Sequence, residues 1–329
     1  MDITNSDSIP VESSLPKSDY RFSFHGNNMQ YLGLVLYNLL LTVITLGIYY
    51  PWAKCAIRKF LWQETEVAGS RFEWHGTGKE MFRGFIKAYL IFGGIFLTLQ
   101  FGPMFIPINY LPWVIIICYL LILALVPVAI HGMMRYRLSR TSLRGIHFGY
   151  RGSLKQFTKK TYIDFFFTLI SFGLYSSWLQ VNIRKYILKN SRYGNVEAKF
   201  VGEGSDLLLL SIGQGLLIIF TFYIYFPWAI IRFFKFYVDN IRIIQNDKVY
   251  QLKTDAKGSV YFGKLILAFL ITVLTLGIAG AIGELIIHKY LTESITLSGG
   301  FDFDSVEQTE KAYTDATGDD MADILDLDF

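Results

Sequence analysis

Charge-free runs set the rhythm of the chain. Residues 31–53, 88–130, 165–183, 207–231 and 265–283 contain no Asp, Glu, Lys or Arg, and polar, charge-rich stretches separate them. About 20 apolar residues, at a helical rise of about 1.5 Å each, cross a hydrocarbon core about 30 Å thick. The runs therefore predict transmembrane helices. The longest, 88–130, is interrupted at FGPMFIPINYLP, where Pro103, Pro107 and Pro112 remove backbone donors, and so divides into two. Six helices follow, starting near residues 30, 81, 112, 157, 206 and 261. Between them, alternation around a glycine-containing turn predicts pairs of short strands. Val67 precedes Phe72 and Trp74, Leu143 precedes Phe148 and Tyr150, and Ile295 and Leu297 precede Phe301 and Phe303. The expected fold class is an all-α polytopic membrane protein, with about six transmembrane helices in two related halves and small β-hairpins at the helix ends.

The two halves rest on an internal register. At an offset of 126 residues, Phe22 matches Phe148, Gly26 matches Gly152, Gly47 matches Gly173, Tyr49 matches Tyr175, Trp52 matches Trp178, and Arg58 and Lys59 match Arg184 and Lys185. TLGI recurs at 275–278, and FPWA at 226–229 echoes YPWA at 50–53. The chain divides on this basis into a disordered N-terminal tail (1–20), a first membrane repeat (21–152), a second (153–304) and an acidic C-terminal tail (305–329). Three crossings per repeat predict an inverted pair of the kind found in many transporters.

Composition supports the membrane assignment. The chain has 329 residues, 52% apolar and only 18% charged, where a soluble domain carries about a quarter charged. Six full crossings would place 22 of the 31 Lys and Arg on one face, which the positive-inside rule makes cytoplasmic, with both termini outside. Arg184, Lys185, Lys189 and Arg192 then fall on the wrong side. Residues 1–20 lack the pattern of a cleavable signal, so the first helix is expected to serve as an uncleaved one. Net charge is only +4 and the basic residues gather at helix ends, which points to anionic lipid and not to nucleic acid. The acidic tail ends in MADILDLDF, a candidate docking segment.

Candidate chemistry is sparse. Tyr49, Trp52, Arg58, Lys59, Tyr175, Trp178, Arg184 and Lys185 form an expected lipid-interface collar of amphipathic rings and cations. Within it Gly47 is expected to let a neighbouring helix approach, and Pro51 to bend the helix as it leaves the bilayer. Asn38, Asp164, Gln214, Glu284 and His131 interrupt apolar helices and are candidate transport positions, because an ionised group in hydrocarbon costs about 2.5 to 3.5 kcal/mol on lenient scales. Cys55 and Cys118, the only cysteines, suit neither a disulfide nor a redox motif. His25 and His75 each precede a glycine, but Arg151 and Val201 replace them in the later copies, so no metal site is expected. No nucleophile, base and oxyanion set is visible, and no cofactor motif.

RFSFHG, TLGIYYPWAKCAIRKF and FEWHGTGKE, with the recurring aromatic–x–Gly strands, resemble the YjgN-like family of bacterial inner-membrane proteins, a domain of unknown function, over about residues 20–304. The resemblance implies a multi-pass protein of the inner membrane and brings no catalytic residue. The inverted repeat and the polar positions favour a small transporter or permease for a solute or lipid. A non-enzymatic scaffold, or a partner subunit for an envelope protease or biogenesis factor, is the alternative. Membrane lipids are the expected partners, together with a membrane protein or a second copy of the chain.

Overall fold

The computed structural model describes residues 19–309. The first 18 residues and the stretch from 310 onward, with MADILDLDF, lie outside the described residues. The chain runs through five units, each built as strand, helix, helix, strand. The first holds β1 (Tyr20–Arg21), β2 (Ser23–Phe24), α1 (Asn28–Ile44), α2 (Tyr50–Gln63) and β3 (Thr65–Val67). The second holds β4 (Ser70–Trp74), α3 (Gly78–Phe105), α4 (Leu111–Ser139) and β5 (Thr141–Leu143). The third holds β6 (Ile146–Tyr150), α5 (Leu154–Ile170), α6 (Ser176–Lys189) and β7 (Ser191–Tyr193). The fourth holds β8 (Val196–Phe200), α7 (Gly204–Phe220), α8 (Phe226–Asp239) and β9 (Ile241–Gln245). The fifth holds β10 (Lys248–Thr254), α9 (Gly258–Leu274), α10 (Gly280–Glu293) and β11 (Ile295–Ser298).

Successive units are joined by tight antiparallel turns. Ala68 and Gly69, Arg144 and Gly145, and Asn246 and Asp247 all have positive φ, the mirror-image turn that matches strand twist. The eleven strands form one antiparallel sheet in the order β1-β11-β10-β9-β8-β7-β6-β5-β4-β3-β2. β1 and β2 are broken apart only at Phe22, whose N–H reaches the Ile295 carbonyl, so both ends of the sheet meet in one short segment. The result is a nearly closed barrel. Its bore is filled: Val67, Leu143, Tyr193, Val196, Tyr250 and Leu297 point inward as one buried cluster, completed by Phe301, Phe303 and Val306 from a strap that follows β11. The strap is pinned across the barrel mouth by Arg144–Asp304 (2.7 Å), by Gln245 to the Asp302 carbonyl (2.9 Å) and by Asn195 N–H to the Glu307 carbonyl (3.0 Å).

The helices form a second ring. Each packs against the helix before and after it in the chain, and α10 returns to α1. Two kinds of aromatic–glycine contact recur, one between successive units and one within a unit. Trp52, Trp178 and Trp228, each third in its helix, lie flat on Gly78, Gly204 and Gly258, the first residues of the following helices; a Cβ there would enter the indole ring. Each of these indoles is also the twelfth residue from the end of its helix; at that place α4 and α10 carry Val128 and Ile282, and the next helix opens with Leu154 or Asn28 instead of glycine. At the strand ends, Phe24, Trp74, Tyr150 and Phe200 cover Gly26, Gly76, Gly152 and Gly202, where a Cβ would sit 2.5 to 2.7 Å from the ring. The fifth unit has Thr254 in place of the aromatic and Ala256 in place of the glycine. Ring and glycine change together because one fills the space the other leaves.

This architecture corrects the all-α expectation and the count of about six crossings. α1, α5, α7 and α9 have 17 residues each, their partners 14 each, so no such pair extends beyond about 25 Å. Each charge-free run is a helix, a reversal and the start of a second helix. Among the described residues only α3 and α4, of 28 and 29 residues, are long and apolar enough to cross a membrane. Every pair begins and ends at the sheet, which removes the inverted pair of three-helix halves. The third expected hairpin is also revised: Ile295 and Leu297 lie in β11, but Phe301 and Phe303 belong to the strap.

Candidate membrane-inserting site

The reversals between paired helices carry the most unusual surface of the molecule. Leu46, Phe172, Phe222 and Leu276 are 93%, 99%, 87% and 93% exposed, and apolar side chains surround each of them. These residues hold φ near +50°, and the next residue, Gly47, Gly173, Tyr223 or Gly277, is also positive. Two consecutive left-handed residues turn the chain by about half a circle within five residues.

No backbone donor is left over at these tips. In the first, Thr45 N–H reaches Leu41 O (3.0 Å), Leu46 reaches Val43 (3.1 Å), Gly47 reaches Thr42 (2.7 Å), Ile48 reaches Thr45 (3.1 Å) and Tyr50 reaches Gly47 (3.1 Å). The remaining N–H, of Tyr49, donates to the Thr45 hydroxyl (3.0 Å), which itself donates to Leu41 O (2.7 Å). Ser171, Thr221 and Thr275 accept in the same way from Tyr175, Tyr225 and Ala279, at 2.8, 3.1 and 3.0 Å. A loop in water has no need of this closure. One in hydrocarbon does, because an unpaired backbone group there costs several kcal/mol.

The expected collar is split by the structure. Tyr49 stacks on Trp52 (5.9 Å), Tyr175 on Trp178 (5.5 Å) and Tyr225 on Trp228 (6.0 Å), but the indoles then serve as packing plates for the next unit. A Cβ on Gly47 would meet no atom within 4 Å, so its role is the turn and not a close helix contact. Pro51, second in α2, leaves the helix unbent, since residues of the first turn need no N–H partner. Arg58 lies over Trp74 at 4.9 Å and Arg184 over Tyr237 at 3.6 Å. Lys59 is exposed and Lys185 half-buried. Lys59, Arg135, Lys185, Lys235 and Lys289 are each the fifth residue from the end of the second helix in their units. Sequence reading captured two of these five, although the recurring cation–aromatic dipeptide was visible.

Asn38, Asp164 and Gln214 occupy the eleventh position of α1, α5 and α7, with Ala268 at that place in α9. They are not gathered into one site. Asn38 bonds Leu34 O within its own helix (2.7 Å), and Asp164 accepts from Asn182 (3.0 Å) and Tyr175 (3.4 Å) of its own pair. Gln214 Oε1 is buried without a partner. His131 Nε2 lies 3.1 Å from the Gly152 carbonyl, as Cys55 Sγ lies 3.0 Å from that of Gly76, so both brace a second helix against the next strand end. Glu284 lines a cavity of about 210 Å³ among α1, α2 and α10 with Tyr31, Leu61, Leu285 and His288.

On the outer face of the barrel, His75 Nε2 lies 2.7 Å from Ser142 Oγ, and Glu73 Oε2 lies 3.2 Å from the same hydroxyl. The carboxylate approaches His75 at the same nitrogen, 3.6 Å away. A base–nucleophile relay needs it on the far nitrogen. Burial, together with the facing His75 and Arg140, pushes the neighbouring His147 below its ordinary value, against the opposing pull of Glu73. His25 pairs with Glu66 at 3.1 Å in the first unit. Among the described residues no group of three or more His, Cys, Asp or Glu is placed to hold a metal.

Comparison with known proteins places this geometry in a family. Inner membrane protein YjgN of Escherichia coli K12 is 30% identical over 147 residues, which cover 45% of this chain and 35% of the relative. Inner membrane protein YjgN of Salmonella typhimurium LT2 is 28% identical over 147 residues, covering 44% and 35%. The matched stretch thus spans about a third of these relatives. No solved structure matches. The model of a bacterial protein family of unknown function, DUF898, matches residues 19–210, more than half of the chain. The protein is a membrane protein and belongs to the DUF898 family.

Proposed function

We propose that this chain is a non-enzymatic scaffold of the bacterial inner membrane, seated on one leaflet by its helix pairs and presenting its barrel to partners in the cytoplasm. The closed hydrogen bonding of the four exposed apolar tips carries this reading, because such turns suit hydrocarbon and gain nothing in water. The pair α3 and α4 runs on through the second leaflet, and the loop between them, 106–110, contains no charge. All other helix pairs return to the barrel. Arg184, Lys185, Lys189 and Arg192 then join the remaining basic residues on the cytoplasmic face, and the topological misfit of six crossings disappears. The names of the two YjgN relatives agree with this membrane. A bore packed with Phe301 and Phe303, and the bonding of Asn38 and Asp164 within their own helix pairs, favour the scaffold over a permease.

Single cysteines in a background without Cys55 and Cys118 test the seating. An impermeant maleimide labels Asp247→Cys from the cytoplasmic side and Ile108→Cys from the opposite side, while Ile48→Cys and Leu174→Cys react from neither. Reaction of both tip cysteines in water overturns the proposal. Solute uptake by reconstituted vesicles that Asp164→Asn abolishes would restore the permease.

A further inference from the structure

We infer that the protein is a leaflet wedge which binds preferentially to membrane curved away from its barrel. This deepens the seating proposed above and rests on it. Ten helices enter the leaflet next to the barrel, but only α3 and α4 are long enough to continue into the other. At a helix diameter of about 10 Å, the eight that stop short occupy on the order of 600 Å² that has no counterpart in the far leaflet. Their insertion is fixed by the fold. The tips of α1–α2, α5–α6, α7–α8 and α9–α10 stand at intervals around one ring that the sheet closes, so the added area is held together and cannot disperse. Acyl chains are the fitting occupant of the tips: Ile48, Leu174, Ile224 and Ile278 are exposed beside Leu46, Phe172, Phe222 and Leu276, and no charge interrupts them. Lys59, Lys235 and Lys289 remain exposed near the other ends of the same helices, where headgroup phosphates lie. Packing defects open in a leaflet bent convexly, and inserted apolar surface fills them.

The full chain, dye-labelled and reconstituted at trace density into vesicles of phosphatidylethanolamine and phosphatidylglycerol of graded diameter, is counted per unit membrane area. Molecules with the barrel outside gather several-fold on the narrowest vesicles. The variant L46N/F172N/F222N/L276N keeps the turns, since Asn accepts positive φ, and keeps α3 and α4 in the bilayer; its enrichment vanishes. Uniform density of the unaltered protein, or sorting by the variant equal to it, overturns the inference. Ile48→Trp separates the two levels. Quenching by brominated acyl chains together with uniform density removes the wedge and leaves the seating, whereas a tryptophan that these lipids do not quench removes both.

Discussion

At the scale of single residues, Gly47 shows how much one backbone angle decides. Its φ of +90° lies outside the range of a β-carbon-bearing residue, yet the space around it is open, so any loss on substitution comes from the backbone alone. Gly47→Ala is expected to cost about 1–2 kcal/mol, seen as a lower thermal midpoint in detergent with an unchanged helix signal. Tyr223 holds the same position in the fourth unit at φ 68°, which shows that neighbouring hydrogen bonds can impose the turn on a residue that resists it. The TLGI motif was legible in the sequence, but its meaning was not. Glycine in a long apolar run usually marks close helix packing, and the reversal here contains no Pro or charge to announce itself. Only the hydroxyl of Thr45, two residues before, records that the chain turns.

At the scale of elements, the exchange of Trp–Gly for a smaller residue twelve positions from the helix end and a larger one at the start of the next helix marks the junctions between neighbouring units. Gly204→Ala drives a Cβ into the Trp178 ring and should cost about 1–3 kcal/mol. Adding Trp178→Val, which copies the Val128–Leu154 arrangement, should recover much of that loss in the same thermal measurement. Failure of the double variant to recover would mean that the indole supports something besides this contact. The register of 126 residues was legible because side chains at such contacts are constrained in kind. It spans more than one unit, since the second unit carries α3 and α4, which are far longer than the rest. That insertion hid the shorter period. Strands β7 to β10 escaped the explicit pairing because Ser191, Val196 and Ala198 do not show the aromatic alternation of β4 and β6.

At the scale of the whole molecule, strap and barrel form one core. Phe301, 3% exposed and edge-on to Tyr250 at 5.2 Å, should cost about 3–5 kcal/mol when replaced by Ala. The expected result is rapid proteolysis of the strands while the segment of α3 and α4 stays protected by lipid; equal loss of both would show that helices and sheet do not melt apart. Ring closure could not be read from local pattern, because Tyr20 pairs with Leu297 and nothing in either dipeptide marks the other. The same pairing has a consequence for biosynthesis. Tyr20 leaves the ribosome 277 residues ahead of Leu297, so the growing protein carries a raw sheet edge until that strand is made. Helix pairs reaching the bilayer in order would hold that edge at the membrane surface, apart from other nascent chains, until the last strand seals it.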